Sequence, residues 1–129
     1  MQIDDSKILV FGANGQVGRE LAKRADNFNI NAKALSRLEL DITKSEEVAS
    51  VLERIRPKIL INAAAYTAVD EAESQSEIAF KVNRDAPETL ARNCAKFSIP
   101  LIHLSTDYVF DGKKPGAYLE DDAVYPIGV

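Results

Sequence analysis

The sequence predicts an α/β fold: a doubly wound parallel sheet of four strands in the order 3-2-1-4, with helices on both faces. Three observations carry this expectation. Strand-length segments, mostly apolar, recur at 7–11, 32–35, 58–62 and 101–104. Stretches with apolar residues at helical spacing separate them. Gly12, Gly15 and Gly18 follow the first segment at every third position. A strand, a glycine turn and a helix in that sequence make the sheet Rossmann-like. Right-handed crossovers then put the reversal of strand order between strands 1 and 4.

Ile8, Leu9, Val10 and Phe11 are continuously apolar, which suits a parallel strand covered on both faces. Gly12 lets the chain leave that strand in a tight turn. Gly15 lets the backbone approach a pyrophosphate, and Gly18 lets the next helix pack closely on the strand. That helix covers about 15–26, with Val17, Leu21 and Ala25 on one face. Its free N–H groups and positive dipole end face the phosphates. The alternative is a glycine-rich turn that binds nothing. The second strand, 32–35, is short and weakly apolar. Leu38 to Ile42 follow as a loop. Thr43-Lys44-Ser45-Glu46 has the form of a capping box with Thr43 as N-cap. Val48, Val51, Leu52 and Ile55 stripe the helix behind it, which ends near Arg56 before Pro57.

A short helix or turn covers about 70–76 after the third strand. A long helix covers about 77–97, carrying Ile78, Val82, Leu90, Cys94 and Phe97. Pro87 lies inside it, lacks a backbone donor and predicts a kink or break near residue 86. From Ser105 the chain reads as loop and then a tail punctuated by Gly and Pro.

A chain of 129 residues is one domain, large enough for a hydrophobic core. A net charge of −4 argues against nucleic acid or an anionic membrane as partner. No apolar run is long enough to span a membrane. Asp4 and Asp5 before the first strand argue against a signal peptide. Cys94 is the single cysteine and reads as core packing in a reducing cytoplasm. No carboxylate spacing matches a metal site, and Asp111, Glu120, Asp121 and Asp122 read as a solvated loop.

The carboxyl ends of the four strands carry Gly12 to Gly18, Ser36-Arg37, Ala63 to Tyr66 and Ser105 to Tyr108. All should line one crevice. Ser36 and Arg37 stand where a site for NAD usually offers a carboxylate to the ribose 2′-hydroxyl. Ser and Arg suit a 2′-phosphate, which favours NADPH over NADH, unless Arg37 is a solvated surface charge. Asp41 can accept from the adenine amine while Ile42 packs on the ring; otherwise Asp41 is a helix-entry residue. Ala63, Ala64 and Ala65 are small if a cofactor crosses the end of the third strand, or else form a packed turn. Asn62 ties neighbouring loops through its amide. Thr106 can offer a hydroxyl to a substrate carbonyl. His103 reads as a packed core residue rather than a base.

Several motifs now fall in order: Gly12-Ala-Asn-Gly15-Gln-Val-Gly18, Leu40-Asp-Ile-Thr43, Asn62-Ala-Ala-Ala-Tyr-Thr-Ala-Val-Asp-Glu-Ala-Glu73, Val82-Asn83 and Ser105-Thr-Asp-Tyr-Val-Phe-Asp-Gly112. Together they resemble the dTDP-4-dehydrorhamnose reductases of the extended short-chain dehydrogenase/reductase superfamily. The blocks at 62–73 and 105–112 are the most specific. The resemblance implies that NADPH or NADH reduces C4 of dTDP-4-dehydro-L-rhamnose to give dTDP-L-rhamnose, a cell-envelope sugar donor. It implies a cofactor site that includes Asn14, with Gly15, Gln16 and Val17 on the pyrophosphate. Asp41 and Ile42 would hold the adenine, and Ala65, Tyr66 and Thr67 would line the nicotinamide side. Thr106, Asp107 and Tyr108 would reach the sugar nucleotide, with Thr106 as the hydroxyl member of a Thr/Tyr/Lys triad.

The family's Tyr-x-x-x-Lys pair falls, by register, just after Val129; Tyr125 is too early and has Val129 four places on. Residues 1–129 thus resemble the cofactor-binding part, inactive alone, with the sugar-binding part absent. The outer edge of the fourth strand would then lack a neighbour and offer a route to a homodimer. The regulatory β subunit of methionine adenosyltransferase is similar by pattern, which keeps a non-catalytic nucleotide-binding module as the alternative.

Overall fold

A computed structural model describes residues 7–129; Asp4 and Asp5 lie outside them. Four parallel strands form one sheet: β1 (Ile8–Phe11), β2 (Ala32–Leu35), β3 (Ile59–Asn62) and β4 (Leu101–His103). Helix α1 (Gln16–Asn27) joins β1 to β2, and α2 (Ser45–Ile55) joins β2 to β3. Between β3 and β4 run α3 (Val69–Ser74), α4 (Ser76–Phe80), a π-helical turn (Lys81–Asp85) and α5 (Ala86–Phe97).

The strand order is β2-β1-β3-β4, which corrects the expected 3-2-1-4. The reversal lies between β1 and β3. Handedness explains the difference, because a right-handed crossover links the face a helix covers to the direction in which it carries the chain. Helix α1 packs on β1 and β2, whereas α2 packs beside α5. Leu9, Phe11 and Leu60 of the sheet share one core with Val48, Leu52 and Ile55 of α2 and Leu90 and Cys94 of α5. Ile8, Val10, Ala32 and Ile61 line a separate apolar cavity with Leu21 and Ala25 of α1. Lying on the face opposite α1, α2 carries the chain back past β1. The more apolar β3 becomes a central strand, and β2, with exposed Lys33, becomes an edge.

The expected break near residue 86 takes the form of the π turn. Pro87 has no N–H for the carbonyl of Asn83, and the Ala86 N–H reaches back five residues to the Lys81 carbonyl. The capping box at Thr43 does not form. Lys44 is the N-cap of α2, with no side-chain cap. Thr43 instead donates its N–H and hydroxyl to Asp41 Oδ1, at 3.0 and 2.8 Å. Arg56, in the left-handed conformation that ends α2, lays its guanidinium 4.6 Å from the Phe97 ring and ties the ends of α2 and α5 together. Cys94 is buried among core side chains as expected, and burial pushes its thiol pKa up.

Candidate functional site

One cleft opens at the carboxyl ends of β1, β2 and β3. Gly12, Asn14, Gly15, Arg37, Leu40, Asp41, Ile42, Ala63, Ala64, Ala65, Tyr66 and Val82 line it, around a volume of about 210 Å³. The chain brings these segments together because β1 and β3 are neighbours and the turn after each strand leaves from the same end.

The three glycines have different causes. Gly12 has φ +93°, and a Cβ there would stand 2.7 Å from the backbone of Ala63 and Ala64. A Cβ on Gly18 would collide with the Gly12 carbonyl, so close packing of α1 demands glycine there. Gly15 is unlike both. Its φ of −74° suits any residue, and the nearest atom to an added Cβ is the Gly12 oxygen at 3.4 Å. Among the described residues neither strain nor a clash calls for glycine at 15, which lines the cleft.

Gly15 is also the N-cap of α1, with no side-chain cap and no acidic residue in the first turn. The leading N–H groups of the helix are therefore free of competing carboxylates, a fit for an anion. Gln16, Val17 and Gly18 continue this turn just beyond the cleft lining.

At the tip of β2, Ser36 and Arg37 are already engaged. Glu39 Oε2 accepts from the Ser36 N–H at 2.8 Å and from its hydroxyl at 2.7 Å. Arg37 lies 3.5 Å from Asp41. Partial burial pushes the Asp41 carboxyl up, but the Thr43 amide and hydroxyl with Arg37 outweigh it and leave its pKa below the usual value. Asp41 lines the cleft as expected and also serves the helix-entry role that was its alternative.

At the tip of β3, Asn62 is fully buried. Its Oδ1 accepts from the Ala64 N–H at 3.2 Å, and its Nδ2 lies 3.0 Å from His103 Nδ1 on β4. The expected tie thus runs from the turn after β3 to strand β4 rather than between two loops. His103 itself is exposed rather than packed in the core, because β4 is the outer strand. The next turn, Ala63 to Thr67, is held from the π turn. Asn83 Oδ1 accepts from the Tyr66 N–H, and its Nδ2 donates to the Tyr66 carbonyl, both at 2.9 Å.

Thr106, Asp107 and Tyr108 follow β4 and do not line the cleft. Thr106 Oγ1 accepts from the Tyr108 N–H at 3.2 Å and lies 3.3 Å from Asp107 Oδ1. Thr67 also lies off the lining. The acidic tail is more ordered than its charge suggested. Asp111 accepts from the Lys113 N–H and the Tyr118 hydroxyl, and Phe110 stacks on Tyr118 at 4.1 Å. Among the described residues no cluster of three potential metal ligands occurs, and no helix is long and apolar enough to cross a membrane.

Four participants escaped the sequence reading as site residues: Leu40, Val82, Asn83 and Glu39. Leu40 and Val82 read as parts of a loop, a helical stripe and the motifs of the resemblance, with no site role of their own. Glu39 stands three places after Ser36, the spacing of a capping box, and that signal was present.

The parallel sheet and its cleft define a Rossmann-like α/β protein with an open cleft at the carboxyl ends of its strands. A family model described as the RmlD substrate binding domain matches residues 6–129, and the chain belongs to that family. It is 43% identical over 125 residues to dTDP-4-dehydrorhamnose reductase of Aggregatibacter actinomycetemcomitans, a match that takes in 96% of this chain and 42% of that protein. The solved dTDP-4-dehydrorhamnose reductase of Clostridium acetobutylicum superposes with a TM-score of 0.89 at 38% identity, over 94% of this chain and 43% of that one. That of Bacillus anthracis, solved with NADP, superposes with a TM-score of 0.90 at 34% identity, over 96% and 44%. The chain thus spans less than half the length of these relatives.

Proposed function

We propose that residues 1–129 are the coenzyme-binding part of a cytoplasmic reductase. The reductase takes a hydride from NADPH or NADH to C4 of dTDP-4-dehydro-L-rhamnose, the C4 oxygen takes up a proton, and dTDP-L-rhamnose results. The observation that carries this reading is Gly15: neither strain nor crowding calls for glycine there, and the uncapped start of α1 lies beside it. A pyrophosphate passing close to the backbone accounts for both. The names of the relatives, and NADP in one of them, support the same reading.

When bound, the coenzyme supplies the hydride; the chain's own residues bind and orient. The amides of Gly15, Gln16 and Val17 hold the pyrophosphate. Asp41 and Ile42 hold the adenine, in a cleft already walled by Leu40 and Val82. Ala63, Ala64 and Ala65 leave room along the nicotinamide half, and Asn83 fixes Tyr66, with Thr67 next along the chain, beside it. Thr106, with Asp107 and Tyr108, meets the sugar nucleotide. For its hydroxyl to donate to the C4 carbonyl it turns away from Asp107, a long contact of 3.3 Å and easily given up. Ser36 and Arg37 offer donors to a 2′-phosphate once they leave Glu39 and Asp41.

Titration of the protein with NADPH and NADH, followed by nicotinamide fluorescence, tests the reading. Saturable binding of at least one is expected, and binding of neither overturns it. A coenzyme-binding module without turnover shares that step and differs by leaving the sugar nucleotide unreduced even in the whole protein, since residues 1–129 alone are not expected to turn it over. Among the described residues β4 pairs only with β3, so self-association through its free edge is a further part of the proposal. A single monomeric species in sedimentation at high concentration removes that part.

A further inference from the structure

The carboxylate of Glu39 takes both donors that Ser36 offers at the end of β2, at 2.8 and 2.7 Å. The guanidinium of Arg37, next along, is taken by Asp41 at 3.5 Å. The groups that suit a phosphate on this rim are therefore each answered by a carboxylate of the following turn. Ser36 also holds Glu39 ionised: its amide, then its hydroxyl, keep that carboxyl pKa below the usual value.

We propose that Glu39 is a specificity-determining residue for the coenzyme, one that restrains binding of a 2′-phosphorylated adenosine relative to one with a free 2′-hydroxyl. The inference rests on the dinucleotide reading above and adds a residue to it. A 2′-hydroxyl brings no charge and can donate to a carboxylate, so Glu39 need not move for it. A 2′-phosphate brings negative charge and only acceptors. It must displace Glu39 from the Ser36 N–H and hydroxyl and draw Arg37 from Asp41, or else stand beside two carboxylates with one guanidinium between them. Either course costs affinity that the free hydroxyl keeps.

The test titrates the wild-type protein, Glu39→Gln and Glu39→Ala with NADPH and with NADH by nicotinamide fluorescence. Gln keeps an acceptor for Ser36 and removes the charge; Ala removes both. The expected result is a rise of about tenfold in NADPH affinity relative to NADH in both variants. Circular dichroism and melting show whether they fold, and Glu39 is exposed, so little change is expected there. An unchanged affinity ratio, with both coenzymes still bound, overturns the inference and leaves the dinucleotide reading standing. Failure of the wild type to bind either coenzyme overturns the reading and the inference together.

Discussion

Asn83 and Tyr66 form a closed pair: the side-chain amide of Asn83 both accepts from and donates to the backbone of Tyr66, at 2.9 Å each way. The amide copies what a neighbouring strand would offer. It is presented by the π turn that precedes Pro87, so a helix irregularity fixes the loop at the end of β3. Asn83→Ala is expected to lower stability by about 1–2 kcal/mol, since the pair lies at the surface. It should weaken coenzyme binding more than that loss of stability would explain. Denaturant melts and coenzyme titrations of one preparation separate the two effects. Equal binding by mutant and wild type would show that the loop needs no such hold.

Gly12 and Gly15 should respond oppositely to alanine. At 12 the positive φ and the Ala63 backbone leave no room, so Gly12→Ala costs about 3 kcal/mol or prevents folding. At 15 the backbone is ordinary and an added Cβ meets only van der Waals contact, so Gly15→Ala stays within about 1 kcal/mol of wild type. Its effect falls on the dinucleotide, with affinity down by about tenfold or more. Thermal melts and fluorescence titrations of the two variants check the contrast.

Asn62 is the buried polar residue at the junction of β3 and β4. Asn62→Ala leaves the Ala64 amide and the His103 ring without their partner and opens a hole under the cleft. The expected loss is about 2–4 kcal/mol. His103→Ala, at an exposed position, should cost about 1 kcal/mol. Similar losses from both would mean that the ring, not the amide, holds the two strands.

Asp41 gives the acid limb of the stability curve a direction. Its carboxyl pKa is lower in the fold than its ordinary value of 3.8, so the stabilisation is fully present above that value. It is lost as pH falls through the lower folded value. Asp41→Asn should therefore be less stable than wild type at neutral pH, and the gap should shrink below 3.8. Urea midpoints of both proteins across the acid range measure it; a constant gap would place the role of Asp41 elsewhere.

Local signals were legible from the sequence where one segment decides the outcome. β2 lies at Ala32–Leu35 as read, the three glycines sit at the turn expected of them, and the helix breaks beside Pro87. Ala63 to Tyr66 reach the cleft because they lie just past β3, and Asp41 and Ile42 because the loop between β2 and α2 returns to that edge. Signals that compete at short range misled. Thr43 looked like a cap, yet Asp41, two residues away, offered a charged acceptor that won its hydroxyl. Ser36 looked free for a ligand, yet Glu39 was within reach.

By itself the sequence determined the strand and helix segments, the places where only glycine fits, and the family to which they belong. The tertiary structure decided the strand order, since the apolar stripe of α2 serves equally well on either face of the sheet. Only the packing of Val48, Leu52 and Ile55 beside α5 selects the face, and a right-handed crossover then carries β3 past β1. It also decided which donors at the rim are open and which are held, because that depends on where side chains point once the backbone is fixed.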